Sequence, residues 1–334
     1  MIGEIEAATA TGARVEWGGG SRLAEGPVRP IAMPLWLGAE RRGAEMGPRL
    51  LDDGLRDRWD GSGDEDLARR LAPTVTVPVE VPADAADRLH RRSLEFLGPV
   101  AAACDRLAAE VASAVEEGAL ALVLGGDHAL AAGSIAGAAM AARGRLGVLW
   151  FDTHPDLNTP ATSPSGHIHG MSLAAALGTG VPALVDLGRP GPKVEAADVC
   201  LLGVRDIDPG EADLIGERGI WHLTAAAWSE RGIVEGLDDA LAHLAARGVE
   251  AVHVSFDLDV LDPAVLPGTG TAVPGGLTLR EAGRVLRRLA AWEGPIRSVD
   301  WVELNPELDP GGRSAETAVA LLATVLGEPG ADVD

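Results

Sequence analysis

The chain has 334 residues, 46% of them apolar, which is ample for one large α/β core or two smaller domains. A formal net charge of −22 argues against nucleic-acid backbones and anionic membranes as partners and suits a small cationic substrate. No apolar run approaches the ~18–20 residues of a membrane span, and the only two cysteines, Cys104 and Cys200, lie outside any C-x-x-C spacing, which excludes a disulfide-stapled or zinc-ribbon protein.

The N-terminal stretch carries no charged-then-apolar leader, so cytoplasmic residence is expected. Residues 1–29, rich in Gly, Ala and Glu without clear periodicity, read as a flexible extension, and 328–334 as a C-terminal tail. Between them, 30–327 reads as one catalytic domain, because neither a repeat nor a Pro/Ser-rich linker divides it. A first strand is expected at 30–36 and a helix near 48–58, then an acidic loop at 60–66. A Val- and Thr-rich strand at 74–81 has prolines that suggest a sheet edge. A long amphipathic helical region follows at 83–117, broken near Gly98-Pro99.

From there the pattern is regular. Apolar runs at 119–124, 146–151, 199–204, 249–256 and 296–304 alternate with helical candidates at 130–142, 209–219, 233–247, 279–292 and 314–326. Short buried-type strands alternating with helices predict an α/β fold whose parallel sheet is covered on both faces; a (β/α)₈ barrel is the second choice.

Five of these strands end in polar residues: Asp127-His128, Asp152-Thr153-His154, Arg205-Asp206, Asp257-Leu258-Asp259 and Glu303-Leu304-Asn305. Ligands of such sheets bind outside the carboxyl ends of the strands. Extended alternation places Asp152 with His154, and Asp257 with Asp259, on the same side. Asp156 bends back after Pro155, and His128 arrives from a third strand. Two imidazoles and four carboxylates exceed the three ligands of a catalytic zinc and fit two cations with shared carboxylates. An oxygen-rich set with imidazole suits Mn²⁺, with Fe²⁺ or Co²⁺ as substitutes.

These segments resemble the ureohydrolases, the arginase/agmatinase family, over about 300 positions. The resemblance rests on Arg41-Arg-Gly-Ala-Glu-Met-Gly-Pro48, Gly-Gly-Asp-His at 125–128, both Asp-rich strands, Gly270-Thr271 through Thr278, and Val302-Glu-Leu-Asn-Pro306. The narrower arginase signal lies in Asp156-Leu-Asn158-Thr-Pro160 and Ser163-Pro-Ser165-Gly-His-Ile-His169-Gly-Met171. It implies a three-layer α/β/α fold with a central, mostly parallel sheet. It also implies two Mn²⁺ per subunit, hydrolysis of L-arginine to L-ornithine and urea, and a homo-oligomer, trimer or hexamer. By the same resemblance His128, Asp152, Asp156 and Asp257 bind one ion and His154, Asp152, Asp257 and Asp259 the other. The sequence departs from the family pattern at Ala129, Thr153, His167 and Ser172.

A guanidinium resists attack by free water, so a metal-bridging hydroxide is the expected nucleophile, oriented by Asp156. His169 is the expected proton donor or shuttle, and Glu303 offers a planar carboxylate to the planar guanidinium. Asn158 and Ser165 suit an α-carboxylate, Asp208 and Glu211 an α-ammonium, and Thr271 the guanidinium pocket. Other readings stay open: an agmatinase or other guanidino-acid amidinohydrolase, a metal-dependent deacetylase, and a non-catalytic metal-binding subunit.

Overall fold

Buried main-chain N–H and C=O groups need partners, and the apolar runs of this chain find them in one another. The computed structural model describes residue 23 and residues 25–88, 94–309 and 311–328. Its strands are β1 (Val28–Met33), β2 (Val75–Thr76), β3 (Leu120–Gly125), β4 (Leu146–Phe151), β5 (Val199–Val204), β6 (Trp221–Thr224), β7 (Ala251–Asp257) and β8 (Ile296–Val302). They form one sheet in the order β2-β1-β3-β8-β7-β4-β5-β6, with every pairing parallel. β2 and β6 are the two free edges, so the sheet is open and the alternative of a closed barrel does not apply.

Side-chain alternation divides the interior into two cores. Leu120, Leu122 and Leu124 of β3 join Trp59, Trp228 and Leu286 on one face. Ala121 and Val123 join Cys104, Ile135 and Leu173 on the other. The first face is covered by helices Gly47–Ser62, Ile233–Ala246, Leu279–Ala290 and Arg313–Val325, and the second by Leu97–Glu116 and Ala131–Ala141. Cover on both sides makes the three layers, and explains why the strands are unbroken apolar runs. Among the described residues no helix is long and apolar enough to cross a membrane.

The elements differ from expectation in a few places. The run 74–81 yields only the two-residue β2, since Pro78 and Pro82 have no N–H for a ladder. The acidic stretch 60–66 is largely helical: one helix runs to Ser62, and Asp64 caps Glu65–Arg70 by accepting the N–H groups of Asp66 and Leu67. Region 83–117 divides into Ala85–Arg88 and Leu97–Glu116, with Gly98-Pro99 in the opening turn of the second helix; residues 89–93 lie outside the described residues. β6 and helix Ala225–Arg231 have no counterpart among the expected elements. Most of the extension 1–29, and residues 329–334 of the tail, lie outside the described residues; yet Val28 and Arg29 belong to β1, and Leu23 is buried in the core.

Candidate active site

The five strands that end in polar residues are neighbours, β3-β8-β7-β4-β5, in the middle of the sheet. Because all run the same way, their carboxyl ends deliver His128, Glu303, Asp257, Asp152 and Arg205 to one edge. Short 3₁₀ turns, His128–Leu130 after β3 and Leu258–Val260 after β7, hold the ligand loops close to the strands.

Two groups of potential ligands have their donor atoms within 4.8 Å of one another: His128, Asp152 and Asp257, and Asp152, His154 and Asp259. Asp152 is common to both. His128 Nδ1 lies 3.0 Å from Asp152 Oδ2, 3.1 Å from Asp257 Oδ2 and 3.2 Å from Asp156 Oδ2. His154 Nδ1 lies 3.2 Å from Asp259 Oδ2 and 3.5 Å from Asp152 Oδ1. All six expected ligands therefore converge.

The chemistry of this set fits cations. His128 Nδ1 and Asp152 Oδ2 are buried without a hydrogen-bond partner, a costly arrangement that bound cations would relieve. Burial pushes the Asp156 and Asp257 carboxyls up, and the neighbouring carboxylates push them further. Burial acts the same way on Asp259, but the charge of His154 beside it outweighs this and holds its carboxyl below the usual range.

Two further side chains hold the His128 imidazole, and one of them also anchors the main chain at His154. His128 Nε2 lies 2.8 Å from Ser255 Oγ, and its ring stacks on Trp150 with centroids 4.3 Å apart. The Trp150 indole N–H donates to the carbonyl of His154 at 3.3 Å. Partners of this kind fix which ring nitrogen faces the ligand group. Neither residue stood out in sequence, although Ser255 lies two positions before the candidate ligand Asp257 on β7, and Trp150 two positions before Asp152, which follows β4.

Glu303 ties two segments of the site together. Its Oε1 accepts the N–H of His128 at 2.8 Å and lies 3.3 Å from His169 Nδ1. Burial alone would discourage a charged imidazole, but Glu303 prevails and the His169 pKa rises to about 9. The His169 loop is tied down in turn: its N–H donates to the carbonyl of Gly38, whose own N–H donates to Asp127 Oδ2 at 2.8 Å. A β-carbon at Gly38 would come within 2.6 Å of both Asp127 and Ala129, so only glycine fits there. Asp156 (φ 51°) and Glu303 (φ 67°) are the only non-glycine residues with positive φ among the described residues, strain of the sort that gathers where side chains must be aimed.

A cavity of about 280 Å³ opens over this edge, lined by His154, Asp156, Asn158, Ser165, His169, Asp208, Glu211 and Thr271, together with Glu40, His167 and Asp206. In its lining the Asn158 amide donates to Asp208 Oδ2 at 2.8 Å. Ser165 Oγ accepts the N–H of His167. Thr271 Oγ1 donates to Asp259 Oδ2 at 3.0 Å, linking the cavity wall to a ligand. Glu211 lines the cavity, but its two oxygens already accept the N–H groups of Leu157 (3.0 Å) and Asp208 (2.9 Å), so it positions both segments. Glu303 does not line the cavity and meets it through His169.

An open parallel sheet with paired His/Asp groups at its carboxyl edge, under a polar cavity lined by His169, defines an α/β protein of the metal-dependent enzyme class. The sequence model of the arginase family matches residues 28–327. The arginase of Bacillus caldovelox is 42% identical over 305 residues, 90% of this chain and 98% of that one. The solved structure of the arginase from that organism superposes with a TM-score of 0.82 at 40% identity, covering 91% of this chain and 99% of the other. Entamoeba histolytica arginase, solved in complex with L-ornithine, superposes with a TM-score of 0.78 at 29% identity, covering 91% and 99%. The chain belongs to the arginase family.

Proposed function

We propose that this protein hydrolyses the guanidinium group of L-arginine to L-ornithine and urea. The observation that carries this reading is a single cavity whose lining joins the candidate metal ligands His154 and Asp156 to the Asn158–Asp208 pair. One end suits hydrolysis of a guanidinium; the other suits an α-amino acid. The arginases this chain resembles, one of them solved with L-ornithine, support the same substrate.

Two divalent ions, when bound, supply the Lewis acidity that brings the pKa of water from 15.7 toward ~7. We assign Mn²⁺, with Fe²⁺ or Co²⁺ as substitutes, from the oxygen-rich donor set with two imidazoles. Asp156, which reaches both the ligand group and the cavity, orients the attacking water and accepts its proton. Glu303, which meets the cavity through His169, keeps Oε1 on His128 and His169 and so acts at the guanidinium end by holding that imidazole in place. His169, protonated at neutral pH, gives a proton to the departing amine nitrogen of ornithine. Asn158 and Ser165 donate to the α-carboxylate, and Asp208 accepts from the α-ammonium. Cytoplasmic residence accords with two buried free cysteines, and assembly as a trimer or hexamer is checked by light scattering on the eluted protein.

The test is urea release by metal-stripped protein reloaded with Mn²⁺, with L-arginine and agmatine compared side by side. Turnover of arginine with little of agmatine is expected. Preference for agmatine would overturn the roles of Asn158, Ser165 and Asp208, and silence on both substrates would overturn the reading as a whole.

A further inference from the structure

Between the ligands Asp152 and His154 stands Thr153, fully buried and unable to reach the cavity. Three of its polar groups are committed. Its N–H donates to Asp259 Oδ1 at 3.1 Å, and its hydroxyl donates to the main-chain carbonyl of Asp259 at 2.6 Å. Its own carbonyl accepts the N–H groups of Arg205 (2.9 Å) and Asp206 (3.2 Å) at the end of β5. The Asp259 carbonyl takes a second donor, Arg205 Nη2 at 2.9 Å, and the same guanidinium nitrogen also donates to the carbonyl of Val273 at 2.8 Å.

Thr153 thus ties the ligand loop of β4 to the ligand loop of β7. Both donations fall on one ligand, Asp259. They leave Asp259 Oδ2 facing His154 Nδ1 and the Thr271 hydroxyl. Among the described residues the Thr153 hydroxyl bonds to Asp259 and not to His128 or Asp257, which with the shared Asp152 make the other ligand group.

We propose that Thr153 is a positioning residue for Asp259, and that its hydroxyl sets the affinity of the metal position shared by Asp152, His154 and Asp259 without setting that of the position shared by His128, Asp152 and Asp257. The physical reason is preorganisation. A carboxylate on a free loop must be ordered as the ion binds, whereas one held through its main-chain carbonyl and Oδ1 is already aimed. Arg205 stiffens the same carbonyl but also spans Gly203, Val260, Leu261 and Val273, so Thr153 is the cleaner probe. The proposal rests on reading Asp259 as a metal ligand, and the experiment separates the two.

Metal-stripped wild type, Thr153→Val, Thr153→Ser and Asp259→Ala are titrated with Mn²⁺ against a competing chelator, and ions per subunit are counted. Thr153→Val keeps the shape and loses only the hydroxyl. One ion of the pair should bind at least about 10-fold more weakly while the other binds as in wild type. Thr153→Ser restores the hydroxyl and should return the weaker ion to within a few-fold of wild type. Equal affinities in wild type and Thr153→Val would overturn the proposal, as would a Ser variant as impaired as the Val variant, since packing would then be the cause. Should Thr153→Val fail to fold, judged by circular dichroism of the stripped protein, Thr153→Ala set against Thr153→Ser makes the same comparison. Retention of two ions by Asp259→Ala would instead remove the ligand assignment beneath it.

Discussion

His169 Nδ1 lies 3.3 Å from Glu303 Oε1, and that oxygen also accepts the main-chain N–H of His128 at 2.8 Å. One carboxylate oxygen therefore joins the His169 imidazole at the cavity wall to the loop that follows β3. The Glu303 charge raises the His169 pKa to about 9 against the opposing effect of burial, so the imidazole is protonated at pH 7.

The first prediction concerns that proton. The pH profile of kcat/KM should lose activity on its alkaline side as His169 deprotonates near the value above. Glu303→Gln removes the charge that favours the imidazolium, so this limb should move to lower pH while metal content stays at wild type. His169→Asn should cut kcat by roughly 10²–10⁴-fold with both ions retained. An alkaline limb that Glu303→Gln leaves in place would separate it from this pair.

Asp257 tests the metal centre. Its Oδ2 lies 3.1 Å from His128 Nδ1, and it belongs to the ligand group that shares Asp152. Asp257→Ala should lower the bound metal below two ions per subunit and abolish turnover, read by elemental analysis and urea release. Wild-type metal content with full activity would refute its assignment as a ligand.

Asp208 tests substrate selection. Its Oδ2 holds the Asn158 amide at 2.8 Å in the lining of the cavity. Asp208→Asn should raise KM for L-arginine by about 10–100-fold, the cost of a lost charge-assisted bond, and leave agmatine kinetics nearly unchanged. If both substrates suffer equally, Asp208 shapes the cavity and does not read the α-ammonium.

Glu211 gives a pH-dependent stability. It is buried, and that burial, reinforced by the charge of Asp208, lifts its pKa to about 7 against the two main-chain N–H bonds that favour the ionised form. A carboxyl raised on folding binds protons more tightly in the native state. Its contribution is full below the ordinary glutamate range and is lost as pH rises through about 7. Relative to Glu211→Gln, wild type should therefore lose up to roughly 3 kcal/mol between about pH 4 and pH 8. Thermal melts of both proteins at saturating metal measure this; a difference in Tm that stays constant with pH would rule out titration of Glu211 as its source.

The fold class, the parallel pairing and the gathering of six candidate ligands at one sheet edge were legible in the sequence because each depends on local pattern. Strands buried on both faces must be apolar throughout, so β3, β4, β5 and β7 stand out as runs. Carboxylates at the ends of such runs, spaced i and i+2, have few uses besides holding cations. β6, by contrast, is a four-residue edge strand of mixed burial with no run to find, and β2 shrank because proline cannot complete a ladder.

What only the tertiary structure decided is which distant groups share a hydrogen bond. Ser255 and Trp150 orient His128, Gly38 joins Asp127 to the loop of His169, and Glu211 spends both oxygens on main-chain N–H groups. The Thr153 hydroxyl reaches a carbonyl 106 residues away in the chain. Such pairings depend on strand order and on the register of β4 against β7, which place Trp150 opposite Ser255 and Phe151 opposite Phe256. Periodicity fixes which side of a strand a residue faces. It does not say which strand lies alongside, and that is where the aim of each candidate ligand was settled.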